Sequence, residues 1–430
     1  MQYKSLSLTS HVDIPNHISV YHILFWAGLA YQLLALFNLP MLLPEWGGPL
    51  SLMALFGGLT AAALKTEKAR ERNHQPIYLA AKPRRGRSQL AAALLLTLFY
   101  IALYLQPEWL GLGTADGVNA GMIGLYDSIS FAINGKKASQ WFVYGVLYTL
   151  IILSLGIKFI YKFRHNRYQV FRTISIMFFQ LCFAFILPQI MESLNKPAVD
   201  FKNFWPLQYY FYFDWNVSSL IESGRFGIIV LIWGTLGFLI ITPILTYFYG
   251  KRWYCSWVCG CGGLAETAGD HLRSLSDKSK QAWKWERAVI YSVLALIVIT
   301  TLLILLSRYI EVLSGISQTL AHYYGLFIGA IFSGIIGVGF YPLFGARIWC
   351  RFGCPMAAYL GLWQKYFSKF RITTNHGQCI SCGNCSTHCE MGIDVKSYAQ
   401  KGEDIKRASC VGCGICSAVC PRGVLRLENK

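Results

Sequence analysis

The chain has 430 residues, 54% of them hydrophobic and only 14% charged, with 39 Lys and Arg against 21 Asp and Glu for a formal charge of +18. Soluble domains carry about 25% charged residues, so this composition excludes an ordinary soluble enzyme. All fourteen cysteines except Cys182 lie from Cys255 onward, which excludes one uniformly disulfide-stapled fold and places sulfur chemistry in the second half.

A bilayer crossing needs about 20 apolar residues, and eight runs qualify: roughly 20–43, 48–64, 90–106, 141–161, 172–190, 226–249, 288–307 and 324–345. The first twenty residues hold only Lys4 as a base and no cleavable apolar region, so the first run reads as a retained anchor. Eight crossings put both termini on one side. The basic excess falls in 65–89, 158–172, 251–287 and 346–430, whereas the alternate loops 44–47, 107–140, 191–225 and 308–323 are slightly acidic in sum. Positive charge marks the cytoplasmic face, so the termini are expected there, in a bacterial-type inner membrane. The charge then needs no nucleic-acid partner, only membrane lipids.

The crossings contain no Asp or Glu in their cores, which disfavours an ion pathway. His22 and His322 stand at the ends of runs one and eight and read as interfacial histidines. Loop 107–140 is Gly-rich and shows no flavin-attachment pattern. Segment 201–216, FKNFWPLQYYFYFDWN, is dense in rings that favour the headgroup level. It reads as an interfacial re-entrant stretch, with a quinone pocket beneath the rings as the alternative. Cys182, amid Phe and Leu, reads as packing.

Two cysteine pairs share their surroundings. Residues 249–259 read YGKRWYCSWVC and residues 344–354 read FGARIWCRFGC, each directly after a crossing. Residues four apart share a helix face, so Cys255 with Cys259, and Cys350 with Cys354, form two pairs able to face each other. Four thiolates suit an iron–sulfur cluster or another metal; a redox-active thiol site and a purely structural role stay open. Arg252 and Arg347 are placed to stabilise thiolates or to snorkel, and Cys261 has no counterpart in the second copy. The site is expected at the cytoplasmic face.

The C-terminus carries Cys379-x2-Cys382-x2-Cys385-x3-Cys389 and then Cys410-x2-Cys413-x2-Cys416-x3-Cys420-Pro421. This is the bacterial ferredoxin run, in which the fourth cysteine serves the other cluster. Cluster one is expected on Cys379, Cys382, Cys385 and Cys420, and cluster two on Cys410, Cys413, Cys416 and Cys389. Zinc uses separated ligand pairs, and disulfides are rare on the cytoplasmic side, so two [4Fe–4S] clusters are the expectation. Glu390 stands where proline is usual after the first run and should alter the turn there.

These motifs resemble the membrane-bound polyferredoxins grouped with NapH, NosR and CcoG, over about residues 226–430. In that family the paired motifs read CxxxCP; Cys350 to Pro355 fits, whereas Gly260 replaces the proline after Cys259. NosR-like members carry a flavin-bearing extracytoplasmic domain that is not recognisable here, and CcoG-like members have fewer spans. The fold expected is mainly α: a polytopic helix bundle of about eight spans with a cytoplasmic two-cluster ferredoxin-like module. Residues 1–225 form an unassigned membrane region, 226–370 the membrane region with the repeated motif, and 371–430 the module. The resemblance implies electron transfer between cytoplasmic-face clusters and the quinone pool or a redox partner, within a larger oxidoreductase complex rather than as a stand-alone enzyme. The alternative is a metalloprotein assembly factor whose CxxxC pairs bind or reduce a metal such as copper.

Overall fold

A computed structural model describes residues 19–37, 46–72, 86–113, 117–375 and 377–429. The N-terminal tail, the end of the first expected crossing and the basic stretch 73–85 lie outside the described residues. Among the described residues, seven helices are long and apolar enough to cross a membrane: α2 (Gly47–Arg72), α3 (Arg87–Leu105), α4 (Gln140–Lys162), α5 (Arg167–Ser193), α6 (Arg225–Tyr249), α8 (Lys280–Ser307) and α9 (Leu313–Ile336). A shorter apolar helix, α1 (Val20–Leu36), packs along α2. The protein is a mainly helical membrane protein.

Local chemistry sets the helix starts. Ser139, Asn166 and Ser279 accept hydrogen bonds from the N–H groups of Phe142, Gln169 and Ala282, capping α4, α5 and α8, each satisfying one of the orphan donors of a first turn. The helices then expose apolar side chains such as Leu95, Ile229, Ile232 and Leu302. A helix apolar on all sides belongs in lipid or a protein core. The last crossing departs from expectation: α9 runs Leu313–Ile336, about eleven residues before the expected 324–345. Ser317, Gln318 and His322 lower the hydropathy of its first turns, and the chain leaves the helix at Gly337 and Gly339.

Two segments fall between the helices. After α6 the chain runs through the first CxxxC copy into α7 (Gly260–Thr267). It returns along α5: Gly260 lies against Gln180, Gly263 against Ile176, Glu266 against Arg172. Gln180 is thirteen residues into α5, so at 1.5 Å per residue it stands about 20 Å along the helix, close to its middle. From the opposite end, residues 200–209 descend until Asn203 Oδ1 accepts from Tyr254 Oη at 2.8 Å.

After the second CxxxC copy, α10 (Pro355–Tyr366) leads to β1 (Phe370–Thr374), which pairs antiparallel with β2 (Leu425–Asn429). The ferredoxin-type turns lie between the two strands and sit on the ends of α5 and α6.

Candidate functional site: three cysteine groups in series

The structure gathers Cys379, Cys382, Cys385 and Cys420 around one cavity and Cys389, Cys410, Cys413 and Cys416 around another. Each cavity thus takes three thiols from one run and one from the other. Gly383, Gly412 and Gly414 have φ of +77°, +65° and +73°, the left-handed turns that only glycine adopts at little cost. Burial pushes the Cys385 and Cys410 thiols up to about 11. A buried thiolate of that kind needs a bound cation, and a cysteine-only donor set suits iron–sulfur chemistry. The residues fit such clusters.

The two cavities are not equivalent. Cys382 is exposed, whereas the loop around Cys410 is fastened to the bundle by four side chains. Tyr168 Oη donates to Gly412 O at 2.8 Å, Gln169 Nε2 to Cys413 O at 2.8 Å, Gln364 Nε2 to Cys410 O at 2.8 Å and Ser256 Oγ to Val411 O at 2.7 Å. The second group therefore faces the membrane body and the first faces solvent.

Behind the second group lies the repeat. Cys255, Cys259, Cys350 and Cys354 are all buried in one core with Tyr254, Phe204 and Trp349. The first copy runs from the module, where Ser256 bonds Val411 O, towards the middle of α5, where Gly260 lies against Gln180. Among the described residues, no three of these thiols lie within 4.8 Å of one another. A tetrahedral single-metal site, with metal–sulfur bonds of about 2.3 Å, would bring them closer. The two ferredoxin-type groups share the wider spacing. Cys261 joins this group, lining the same cavity as Cys259, while Cys182 is half-buried on α5 and belongs to neither set.

The proline-to-glycine departure has a steric cause. A Cβ on Gly260 would meet Gln180 Oε1 at 2.6 Å. Pro355 instead occupies the first turn of α10, where its missing N–H costs nothing.

The two repeat arginines diverge. Arg347 is fully buried, and its Nη1 lies 3.7 Å from Cys350 Sγ and 3.4 Å from Cys255 O. Arg252 does not approach a thiol: it stacks on Phe370 at 4.5 Å and donates to Asn429.

Glu390, the residue in place of proline, accepts from Arg347 Nε and Arg273 Nη1, each at 2.8 Å. Its carbonyl takes the Ser276 hydroxyl at 2.7 Å. Glu266 is bonded by Arg172, Arg273 and Arg347, each at 2.7 Å, and Asp270 pairs with Arg273 and Lys162. Burial alone would raise Asp270, but Lys162 and Arg273 outweigh it and hold its carboxyl well below the usual range. Glu266, Glu390 and Cys413 place ligand atoms within 4.8 Å of one another, yet the guanidiniums occupy these oxygens, so this is an ion-pair node. Hydropathy could not find Glu266, because loop 251–287 counts as extramembrane until it is seen to fold back; the small-residue run Gly260–Gly263 was the available signal.

Beyond the repeat a cavity of about 370 Å³ extends away from the module. Cys259, Cys261, Gln180, Tyr148, Tyr341 and Lys202 line it. The α5 and α9 walls are wound as π-helix over Phe179–Ile186 and Gly325–Ile336, a distortion frequent at functional sites. Tyr104 and Tyr209 separate it from a second, outer cavity of about 620 Å³ beside exposed His322. His22 bonds Ser19 at the start of α1.

The 4Fe-4S dicluster domain family matches residues 378–425. A second family, the 4Fe-4S binding domain, matches 231–279 and 324–374, one match for each CxxxC copy. Together these matches cover both CxxxC copies and the C-terminal cysteine runs, and each is to a 4Fe–4S family. Over 177 residues it is 28% identical to an electron transport protein, YccM, of Escherichia coli (strain K12), covering 38% of this chain and 47% of the relative. A protein of Methanocaldococcus jannaschii, MJ0749, is 27% identical over 167 residues, covering 39% of this chain and 62% of its own length. The chain therefore spans about half to three-fifths of the curated relatives it matches. No solved structure matches it. Binding of 4Fe–4S centres is thus the property that both family matches share.

Proposed function

We propose that this is an inner-membrane polyferredoxin with two [4Fe–4S] clusters in its C-terminal module and a third iron–sulfur centre on Cys255, Cys259, Cys350 and Cys354. It passes electrons between a partner at the module, on the cytoplasmic side, and a quinone or redox partner reached through the inner cavity. Cys379, Cys382, Cys385 and Cys420 hold the solvent-side cluster, and Cys389, Cys410, Cys413 and Cys416 the bundle-side one. The clusters supply one-electron chemistry; the chain's residues supply the spacing.

One observation carries this reading. The first CxxxC copy re-enters to mid-depth and there meets residues 200–209 arriving from the other face. A hydrocarbon core is about 30 Å thick, too far for one electron step, and a centre at half depth divides it. The family match over both copies favours iron at the repeat. Gln180, Lys202 and the tyrosine hydroxyls offer the inner cavity the polar partners a quinone headgroup takes, and its volume falls in the range of small-molecule sites.

The test is iron and sulfide analysis with EPR on purified protein, and on a Cys255→Ser/Cys350→Ser variant. About twelve irons, falling to about eight in the variant with loss of reduction by a quinol analogue, is expected from four irons per cluster. About eight irons in both, with quinol reduction retained, would sink the third centre. Stoichiometric copper lost in the variant would establish the assembly role instead.

A further inference from the structure

The module end of the bundle holds a further cavity, of about 510 Å³, between the start of α8, the length of α10 and the loop before Cys410. Its walls carry seven bases, Lys251, Lys284, Arg287, Arg351, Lys365, Lys406 and Arg407, against a single acid, Glu286. Among the described residues, only Arg351 of these seven has a carboxylate within 4.0 Å, and that is Glu286 itself.

Such a gathering of like charge opposes folding unless something offsets it. Two donors are also left without partners. Arg351 is only 4% exposed, and its Nη2 has no hydrogen-bond acceptor, although Nε and Nη1 are satisfied by Glu286 and Asp277 O. The Nε of Arg407 is likewise buried and unpaired. Buried polar groups are normally satisfied, and both of these guanidiniums belong to residues that line the same cavity, so its wall is short of acceptors as well as of negative charge. Arg287 and Arg407 each stack on Trp283 with the guanidinium carbon 4.3 Å from the ring centroid, which holds their planes in place.

The location narrows the ligand. Trp285, Tyr366 and Phe367 beside the cavity are 63%, 61% and 58% exposed, rings of the kind that rest at the membrane–water boundary. Guanidiniums recognise phosphate oxygens with directional hydrogen bonds, and basic pockets between helices at this level hold lipid headgroups. We propose that this cavity binds the phosphate of an anionic lipid headgroup, with Arg287 and Arg407, held on Trp283, as the directional donors and Lys284, Lys365 and Lys406 as the surrounding charge. Cys350 and Met391 also line it, so the bound phosphate lies beside the repeat and the second ferredoxin-type run.

The test is native mass spectrometry of the full, iron-loaded chain in detergent, titrated with phosphatidylglycerol or phosphatidylcholine. Selective retention of phosphatidylglycerol is expected. Each removed charge should weaken it by about fivefold, so Lys406→Gln/Arg407→Gln should weaken it by roughly 25-fold without changing phosphatidylcholine retention or iron content. Should that variant lose iron, Lys284→Gln on the opposite wall is read by the same criterion. Competition by inorganic phosphate assigns the site to free phosphate as well as lipid, and its failure to compete assigns the site to lipid. Equal retention of the two lipids, or unchanged phosphatidylglycerol binding in an iron-replete variant, would overturn the proposal.

Discussion

Glu390→Ala is the most informative single change. Glu390 is 1% exposed and accepts from Arg273 and Arg347, which are 2% and 1% exposed. Breaking a buried ion pair by deleting one partner costs about 3–5 kcal/mol. Both arginines keep Glu266, and Arg273 also keeps Asp270, so the lower end applies. About 3 kcal/mol is roughly a hundredfold shift from docked to undocked module. Hydrogen exchange read by mass spectrometry should show the amides of 408–416 and 252–259 losing protection together, while those of α4 and α8 keep theirs. Glu390→Pro supplies the usual ferredoxin residue but no charge, and should behave like the alanine variant. If Glu390→Pro were protected like wild type, Glu390 would matter only as a turn residue and the anchor argument would fail.

Three further outcomes are expected. Cys420→Ser should abolish the same EPR signal as Cys379→Ser, and Cys389→Ser the same as Cys410→Ser; pairing within each run instead would contradict the two cavities. Gly392→Ala should be strongly destabilising in a thermal unfolding series, because φ is +67° and its Cβ would lie 2.3 Å from Asp277 O; a melting temperature within a degree or so of wild type would refute that packing. Tyr254→Phe removes the bond to Asn203 at the meeting of the two re-entrant segments. About 1 kcal/mol is lost, and Cys261 should alkylate faster from the 200–209 side; an unchanged rate would deny the junction.

Much of this arrangement is legible in the chain because it is local. Cysteine spacing within eleven residues brings the module thiols together whatever surrounds them, and continuous apolar runs declare α4, α6 and α8. What hydropathy misses is polarity that folds back. GCGGLAET at 260–267 is too short and too polar to register as membrane-embedded, yet it occupies the bundle because its glycines let it pack closely on α5. Arg252 and Arg347 are equivalent in sequence and divergent in space, since only the second copy points its arginine at Glu266 and Glu390. The replacement of proline by Glu390 is visible at once. Its meaning depends on Arg273 and Arg347, which lie 117 and 43 residues away.

The ion-pair node ties the folding of the turn after Cys389 to the closing of the bundle beneath it. A module whose turns are unformed cannot present Glu390, and Arg347 and Arg273 then face a low-dielectric interior one carboxylate short. Incompletely matured chains would thus carry an exposed, strained floor where finished ones carry a sealed joint. The contact that docks the module on the bundle is therefore also the one that closes the bundle's charged floor.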